Sequence, residues 1–317
     1  MACPLVALFV FNRPESTRRV LQRLREVRLT RLAIIADGPR LANTADNGRV
    51  LEVRNIIENE IDWPCEVLHH YSDVNLGCRG RVSSGLSWVF QQVDKAIILE
   101  DDTLPDSTFF PFCEEMLDRY RNDNQVVHIS GNNPLSERHT LNGFYGFTKY
   151  PFIWGWATWR RAWKQYRVDC EGHADFVRSR EFQRLCPTSL ERGFWRYNFR
   201  MAGSGAMNTW DYQWIYACWR QGGLSIVPRE NLIENIGFGP DGTHTTEANW
   251  RARQKAQPFP PPYAAPPAVA ADAEYDRIAF DEVFEGQSLH QYRTLRFRLR
   301  VGWSRLRAWA ARFRAGA

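Results

Sequence analysis

The run Ala96-Ile97-Ile98-Leu99-Glu100-Asp101-Asp102 decides how this 317-residue chain is to be read. Its apolar part is short, β-branched and unbroken, as in a strand buried on both faces of a parallel sheet. Three acids at the end of such a strand stand at its carboxyl end, where open α/β sheets form their ligand crevice. Carboxylates this close repel and raise one another's pKa unless a cation holds them. A hard divalent ion, Mg²⁺ or Mn²⁺, carrying a diphosphate answers that need. A solvated acidic loop after a strand is the plainer alternative.

Outward from this run, the first ninety residues alternate between strand and helix patterns. Leu5 to Phe11 reads as a buried strand closed by Asn12-Arg13-Pro14. Val20, Leu21, Leu24 and Val27 then recur at helical spacing, with Pro14 near the helix start and Ser16 or Thr17 as the expected cap. Leu32 to Ala36 is a second strand ending in Asp37-Gly38-Pro39-Arg40, followed by a helix over about 47–60. Cys65 to Leu68 is a third strand, and Asn75-Leu76-Gly77 opens a helix through Leu86, Val89 and Phe90. Such alternation predicts a parallel sheet with right-handed crossovers.

Beyond Asp102 the pattern changes. A helix is expected over 109–120 and a strand over Val126 to Ser130, after which tryptophans become dense, with Trp154, Trp156, Trp159 and Trp163 grouped. Most of them are expected in the core, the commoner fate of aromatics; Trp154 or Trp156 is the candidate to line a groove. Residues 256–275 are rich in Pro and Ala and read as a linker or a draped segment. From Thr294 to Ala317 there is no acid, while Leu295, Leu299, Trp303, Leu306, Ala310 and Phe313 recur every three or four residues among arginines. That is a basic amphipathic helix suited to an anionic membrane surface.

Bulk properties narrow the class. Hydrophobic residues make up 44% of the chain, enough for a large core, and the net charge is +5. Much of that excess lies in the tail, so the body has no basic stripe and a nucleic-acid partner is not expected. Seven scattered cysteines without a Cys-x-x-Cys pair argue against a zinc site or a disulfide framework. No signal peptide or membrane span is read, which gives a cytoplasmic protein, peripheral at the inner face of the membrane through its tail.

Four strand ends deliver polar groups to one edge: Asn12-Arg13, Asp37, the segment from Asn75 to Arg81, and Glu100-Asp101-Asp102. They supply an acceptor for a base, cations for phosphate and carboxylates for a metal. No Gly-x-Gly-x-x-Gly follows the first strand and no Walker lysine motif occurs. The order FNRPESTRRVLQRL (from Phe11), IIADG (from Ile34) and AIILEDD (from Ala96) resembles the GT-A glycosyltransferases. More narrowly it is similar to the N-acetylglucosaminyltransferase I family, inverting enzymes that use UDP-GlcNAc and Mn²⁺. GWATWRRAW (from Gly155), TWDYQW (from Thr209) and IVPRENLIENIGFGPDGTH (from Ile226) resemble that family's later segments in order. The second half also looks like bacterial surface-polysaccharide sugar transferases.

The resemblance implies an α/β fold of GT-A (Rossmann-like) type, a mostly parallel sheet flanked by helices. Residues 1–135 would bind nucleotide sugar and 136–255 would form the aromatic-rich acceptor half, with 256–275 as linker and 276–317 as the basic amphipathic helical segment. It implies Arg13 on the diphosphate, Asp37 on the uracil edge and Arg81 on phosphate or ribose, with Arg79 as Arg81's rival. Asp102 would ligate Mn²⁺ or Mg²⁺, Asp101 or Glu100 would bind ribose or sugar, and His244 would close over the diphosphate. Asp211 would deprotonate the acceptor. Tyr212 follows Asp211 where the family has neighbouring acids, so Glu234 and Asp241 are the alternative bases. The expected activity is metal-dependent, inverting transfer from a UDP-sugar to a saccharide or lipid-linked saccharide. A nucleotidyltransferase on a similar sheet and a non-catalytic sugar-binding scaffold are the rivals.

Overall fold

The alternating half of the sequence folds as a parallel sheet in the computed structural model, which describes residues 4–238, 250, 254–284 and 286. Strands β1 (Leu5–Val10), β2 (Arg31–Ala36), β3 (Glu66–Tyr71) and β4 (Lys95–Glu100) alternate with helices α1 (Pro14–Glu26), α2 (Thr44–Glu60) and α3 (Gly77–Gln92). All four strands pair in parallel in the order β3-β2-β1-β4. The chain therefore walks outward from β1 to β3 and returns past β1 to lay down β4. That reversal opens a crevice at the carboxyl ends of β1 and β4, the place where doubly wound sheets bind ligands.

β1 is buried along its whole length, and its alternate residues feed two cores. Val6, Leu8 and Val10 face α1 and α2, where Val20, Leu21, Leu24, Val53, Ile56 and Ile57 are buried. Leu5, Ala7 and Phe9 face α3, against Val82, Leu86, Val89 and Phe90. Each buried Val, Leu, Ile or Phe among them contributes about 1.5–3 kcal/mol. α1 begins at Pro14 with Arg13 as its cap residue, so Ser16 and Thr17 lie inside the first turn rather than capping it. Proline's fixed φ suits the first helical position, which sets the start early. The Thr17 hydroxyl donates back to the Arg13 carbonyl instead.

The second half extends the same sheet. In chain order it contains β5 (Thr103–Pro105), α4 (Phe109–Arg119), β6 (Val126–Ser130), β7 (Tyr145–Thr148), β8 (Trp156–Trp159) and three short helices, α5 (Arg160–Trp163), α6 (His173–Phe176) and α7 (Arg180–Leu185). These lead to α8 (Ser189–Gly203), α9 (Asp211–Arg220), β9 (Leu224–Pro228), β10 (Ile233–Asn235) and α10 (Ala273–Glu282). β8 runs antiparallel between β4 and β6, giving the eight-stranded order β3-β2-β1-β4-β8-β6-β9-β7. β5 and β10 form a separate antiparallel ribbon. The fold is thus α/β, with a large, mostly parallel sheet covered by helices on both faces.

The Pro/Ala-rich stretch is draped, not free. Phe259 and Tyr263 are buried beside Phe112, and Arg119 Nη1 donates to the Tyr263 carbonyl at 2.8 Å. The stretch ends by pairing Ala271 with Phe147 on the outer edge of β7. α10 then docks through Asp276, which accepts from the Thr148 hydroxyl at 2.5 Å, and through Tyr275, whose hydroxyl donates to Asn133 at 2.8 Å. The expected amphipathic helix at 294–317 lies outside the described residues. Among those described, no helix is long and apolar enough to cross a membrane.

Most tryptophans are core, as expected. A column of parallel rings runs from His128 on β6 through Trp156 to Trp210, with centroids 5.0 and 5.5 Å apart. His128 Nε2 meets the Phe152 carbonyl at 2.9 Å and Nδ1 meets the Trp214 indole N–H at 3.0 Å. The carbonyl can only accept and the indole can only donate, so the ring is the neutral Nε2–H tautomer. Burial holds its pKa down to about 3. Between that value and the ordinary value near 6.5, only the unfolded chain takes up the proton, so stability falls as pH drops below 6.5. Chemical denaturation at pH 7.5 and 5.0 is expected to show a loss of about 2 kcal/mol attributable to this ring. His128→Gln, which keeps a donor and an acceptor, should remove that part of the pH dependence.

Candidate active site

The crevice between β1 and β4 is closed by one cation. Asp101 N donates to the Phe9 carbonyl at 2.9 Å, carrying the β1–β4 pairing one residue past the strand. Its carboxylate turns inward, Oδ2 accepting from Phe11 N at 3.0 Å and Oδ1 from Arg13 Nη1 at 2.8 Å. The same Nη1 lies 2.8 Å from Asp102 Oδ2. Proline at 14 launches α1 directly after Arg13, which fixes the guanidinium between the two acids. Burial is the strongest influence on Asp101 and raises its pKa, against the opposing pull of Arg13.

Glu100, the last residue of β4, and Asp102 open on a cavity of about 520 Å³. Arg13, Cys78, Asn208, Asp211 and Trp154 also line it. Burial first, then the charges of Asp102 and Asp101, pushes the Glu100 carboxyl well above the usual carboxylate range. The β5–β10 ribbon brings residues 235–238 over Asp102: Ile236 N donates to the Asp102 carbonyl at 2.8 Å, and any Cβ at Gly237 would collide with the Asp102 carboxylate. Only glycine allows that approach.

Asp211 reaches the cavity from the aromatic half. It is the first residue of α9, placed by Trp210 at the end of the aromatic column. Oδ1 accepts from the Thr209 hydroxyl and from Tyr212 N; Oδ2 takes no hydrogen bond from a described residue. Trp154 lines the cavity half-buried, its ring edge-on to Phe238 at 5.7 Å. Trp156 is fully buried in the column.

Asp37 and Arg81 do not line this cavity. Asp37 Oδ1 accepts from Gly38 N and Leu76 N, both at 2.9 Å. Oδ2 accepts from Gly77 N at 3.0 Å and Asn75 Nδ2 at 3.1 Å. Four donors use the four lone-pair directions of a carboxylate, which bolts the 75–77 turn to the end of β2. Burial nevertheless raises the pKa of Asp37, with those amides opposing. Arg81 is buried and directs Nη2 at His70, 2.7 Å from Nδ1 and on to the His70 carbonyl. Arg79 turns to the carbonyls of Val168 and Gly203. Glu234 is paired with Lys255 at 2.6 Å. His244 and Asp241 lie outside the described residues.

Asn208 is a lining residue the sequence did not reveal. Its Oδ1 accepts from Arg79 N at 3.1 Å, and its side chain packs on Gly77, whose φ is +68°. The first turn of α3 is therefore held by Asp37 on one side and by the loop before Asp211 on the other. The only earlier signal for Asn208 was its place just ahead of TWDYQW.

Among the described residues, no cluster of three His, Cys, Asp or Glu side chains stands ready for a metal. Glu100 and Asp102 still fit one of the Mg²⁺ kind, which takes one or two protein carboxylates and completes its shell with substrate phosphates and water. The pKa of Glu100, raised first by burial and then by the charges of Asp102 and Asp101, is of the kind a bound cation relieves.

No protein-family model and no curated protein matches the chain. Solved structures give distant likenesses over about half of it. HddC from Yersinia pseudotuberculosis complexed with GMP-PN is 12% identical over 51% of this chain and 80% of that one, with TM-score 0.30. The 4-diphosphocytidyl-2C-methyl-D-erythritol synthase of Anaerococcus prevotii is 7% identical over 57% and 79%, with TM-score 0.33. UDP-glucose pyrophosphorylase from Acinetobacter baumannii is 10% identical over 52% and 77%, with TM-score 0.32. The site described above does not rest on them.

Replacing Asp37 by Asn would put an amide N–H₂ against donors. Leaving such buried groups unmatched is expected to lower the unfolding free energy by about 1–3 kcal/mol with no nucleotide present. Urea denaturation checks this; an unchanged midpoint would mean the carboxylate is not a structural bolt.

Proposed function

We propose that the chain is a metal-dependent, inverting glycosyltransferase of GT-A type, moving a sugar from a nucleoside diphosphate to a saccharide hydroxyl. One observation carries the reading: a single cavity at the carboxyl ends of β1 and β4 gathers Arg13, Glu100 and Asp102 with a third carboxylate, Asp211. The first three suit a diphosphate and its cation. The fourth suits an acceptor hydroxyl, which must lose a proton as it attacks.

In this mechanism Asp211 Oδ2 takes the acceptor's proton while Oδ1 stays fixed by Thr209 and Tyr212. The acceptor oxygen forms a bond to the anomeric carbon as the bond to the diphosphate oxygen breaks, and the leaving oxygen keeps the electron pair. Arg13 faces the charge that develops there and stabilises it. A divalent ion held by Glu100 and Asp102 would supply further neutralisation of the leaving diphosphate. Trp154 offers a flat apolar wall for a sugar ring.

Nucleotidyl transfer also uses strand-end acids and a cation, but a sugar phosphate is already anionic and needs no base like Asp211. The loop Asn12-Arg13-Pro14 is also unlike the glycine-rich loop with Lys or Arg that such enzymes carry after their first strand. The tail at 294–317 extends the proposal to an acceptor at an anionic membrane surface, on its sequence pattern alone.

The test is a panel of nucleotide sugars assayed for binding, diphosphate release and transfer, with Mn²⁺ or EDTA. Asp211→Asn is expected to keep donor binding and lose about a hundredfold or more in transfer rate. Asp102→Ala should lose the Mn²⁺-dependent part of donor binding. Pyrophosphate release from a nucleoside triphosphate and a sugar phosphate would favour the nucleotidyltransferase instead. A folded protein that binds no nucleotide sugar would remove the transferase reading.

A further inference from the structure

We propose that Arg13 is an internal counter-cation that keeps a divalent ion off Asp102 until a nucleoside diphosphate draws the guanidinium onto its phosphates. Metal and nucleotide then bind as a pair rather than independently. This rests on the donor and metal site proposed above.

The geometry assigns Arg13 this part. Its Nη1 is 2.8 Å from both Asp101 Oδ1 and Asp102 Oδ2, so one nitrogen sits where a cation shared by the two acids would sit. Asp102 Oδ2 has little room elsewhere, because the backbone at Gly237 crowds it. Ile236 N, bonded to the Asp102 carbonyl, keeps that backbone in place. A divalent ion arriving alone would meet a resident positive charge and, among the described residues, find no group of three carboxylates placed to hold it. Both conditions make lone binding weak.

A diphosphate changes both conditions together. Its oxygens complete the metal's shell, and they are better partners for a guanidinium than a single carboxylate oxygen, because the planar fork can grip phosphate bidentately. Asp101 is the pivot that makes the exchange local. It remains tied to Phe11 N at 3.0 Å, so Arg13 can release Asp102 without leaving Asp101 or emptying the crevice of positive charge. No covalent bond changes. The coupling is reciprocal: nucleotide raises metal affinity by the factor by which metal raises nucleotide affinity.

The experiment measures free Mn²⁺ by electron paramagnetic resonance with the full-length protein, with and without UDP. Wild type is expected to bind Mn²⁺ weakly alone and at least about tenfold more tightly with UDP, within the usual range of coupling between sites. Arg13→Met should bind Mn²⁺ alone about tenfold more tightly than wild type, with the UDP-dependent increment reduced. Asp102→Ala should abolish both effects, which locates the ion. Arg13→Met leaves Asp101 buried without its cation; should it fail to fold, Arg13→Met with Asp101→Asn removes the stranded charge and reads the same quantity. Equal nucleotide-free affinities in wild type and the arginine variant, at a site that needs Asp102, would overturn the proposal for Arg13 and leave the metal–nucleotide reading standing. No Asp102-dependent Mn²⁺ in any combination would overturn both, while nucleotide-sugar binding without metal would still identify a donor site.

Discussion

The guanidinium of Arg13 between Asp101 and Asp102 is the constraint on which the rest of the crevice depends. Three acids follow one another at the end of β4, in surroundings too dry to let them ionise together without a partner. Arg13 supplies that partner from the cap of α1, just past the neighbouring strand, and in doing so it stitches β1 to β4 where the chain reverses direction across the sheet. Asp101 serves the stitch with both oxygens, while Glu100 and Asp102 open on the cavity. A triplet of like residues is thus divided between structure and chemistry: Glu100 and Asp102 line the cavity and Asp101 does not.

The same economy governs the opposite wall. Asp211 owes its position to a column of rings that starts at a neutral histidine deep in the sheet and ends at Trp210. β8, which carries Trp156, is inserted antiparallel between β4 and β6, so the acids and the aromatic half share one continuous sheet. Asn208 adds a second tie by receiving the amide of Arg79 at the first turn of α3. The two walls of the cavity are therefore referenced to each other through side chains and through hydrogen-bonded strands.

Much of this was legible in the residues. Parallel strands buried on both faces read as unbroken apolar runs, and β1, β2 and β4 announced themselves that way. Arg13, Glu100, Asp102 and Asp211 stood at strand or helix ends, and all four line one cavity. β7 and β8 were not visible, because four-residue strands such as Tyr145–Thr148 and Trp156–Trp159 are specified by partners far along the chain rather than by a local period. Asp37 and Arg81 show the limit from the other side. The hydrogen bonds of these two groups go to the amides of Leu76 and Gly77 and to His70, contacts with loops and neighbours that strand-end position alone does not reveal.

The draped segment over 256–275 has a consequence for how copies of the chain meet one another. An eight-stranded open sheet has two rims, and each rim is a row of unpaired amides and carbonyls that can template a foreign strand. On β3 the defence is chemical: Glu66 with its Arg31 partner, His69 and Tyr71 make that rim polar. The β7 rim is aromatic, with Tyr145 and Phe147, and there the segment that looked like a spacer lies against the edge at Ala271 and buries Phe259 and Tyr263 beside it. Proline cannot donate to a ladder, so a proline-rich cover shields a sticky border without becoming one. The stretch whose composition suggested a linker or a draped segment is thus the cover of the sheet's aromatic border.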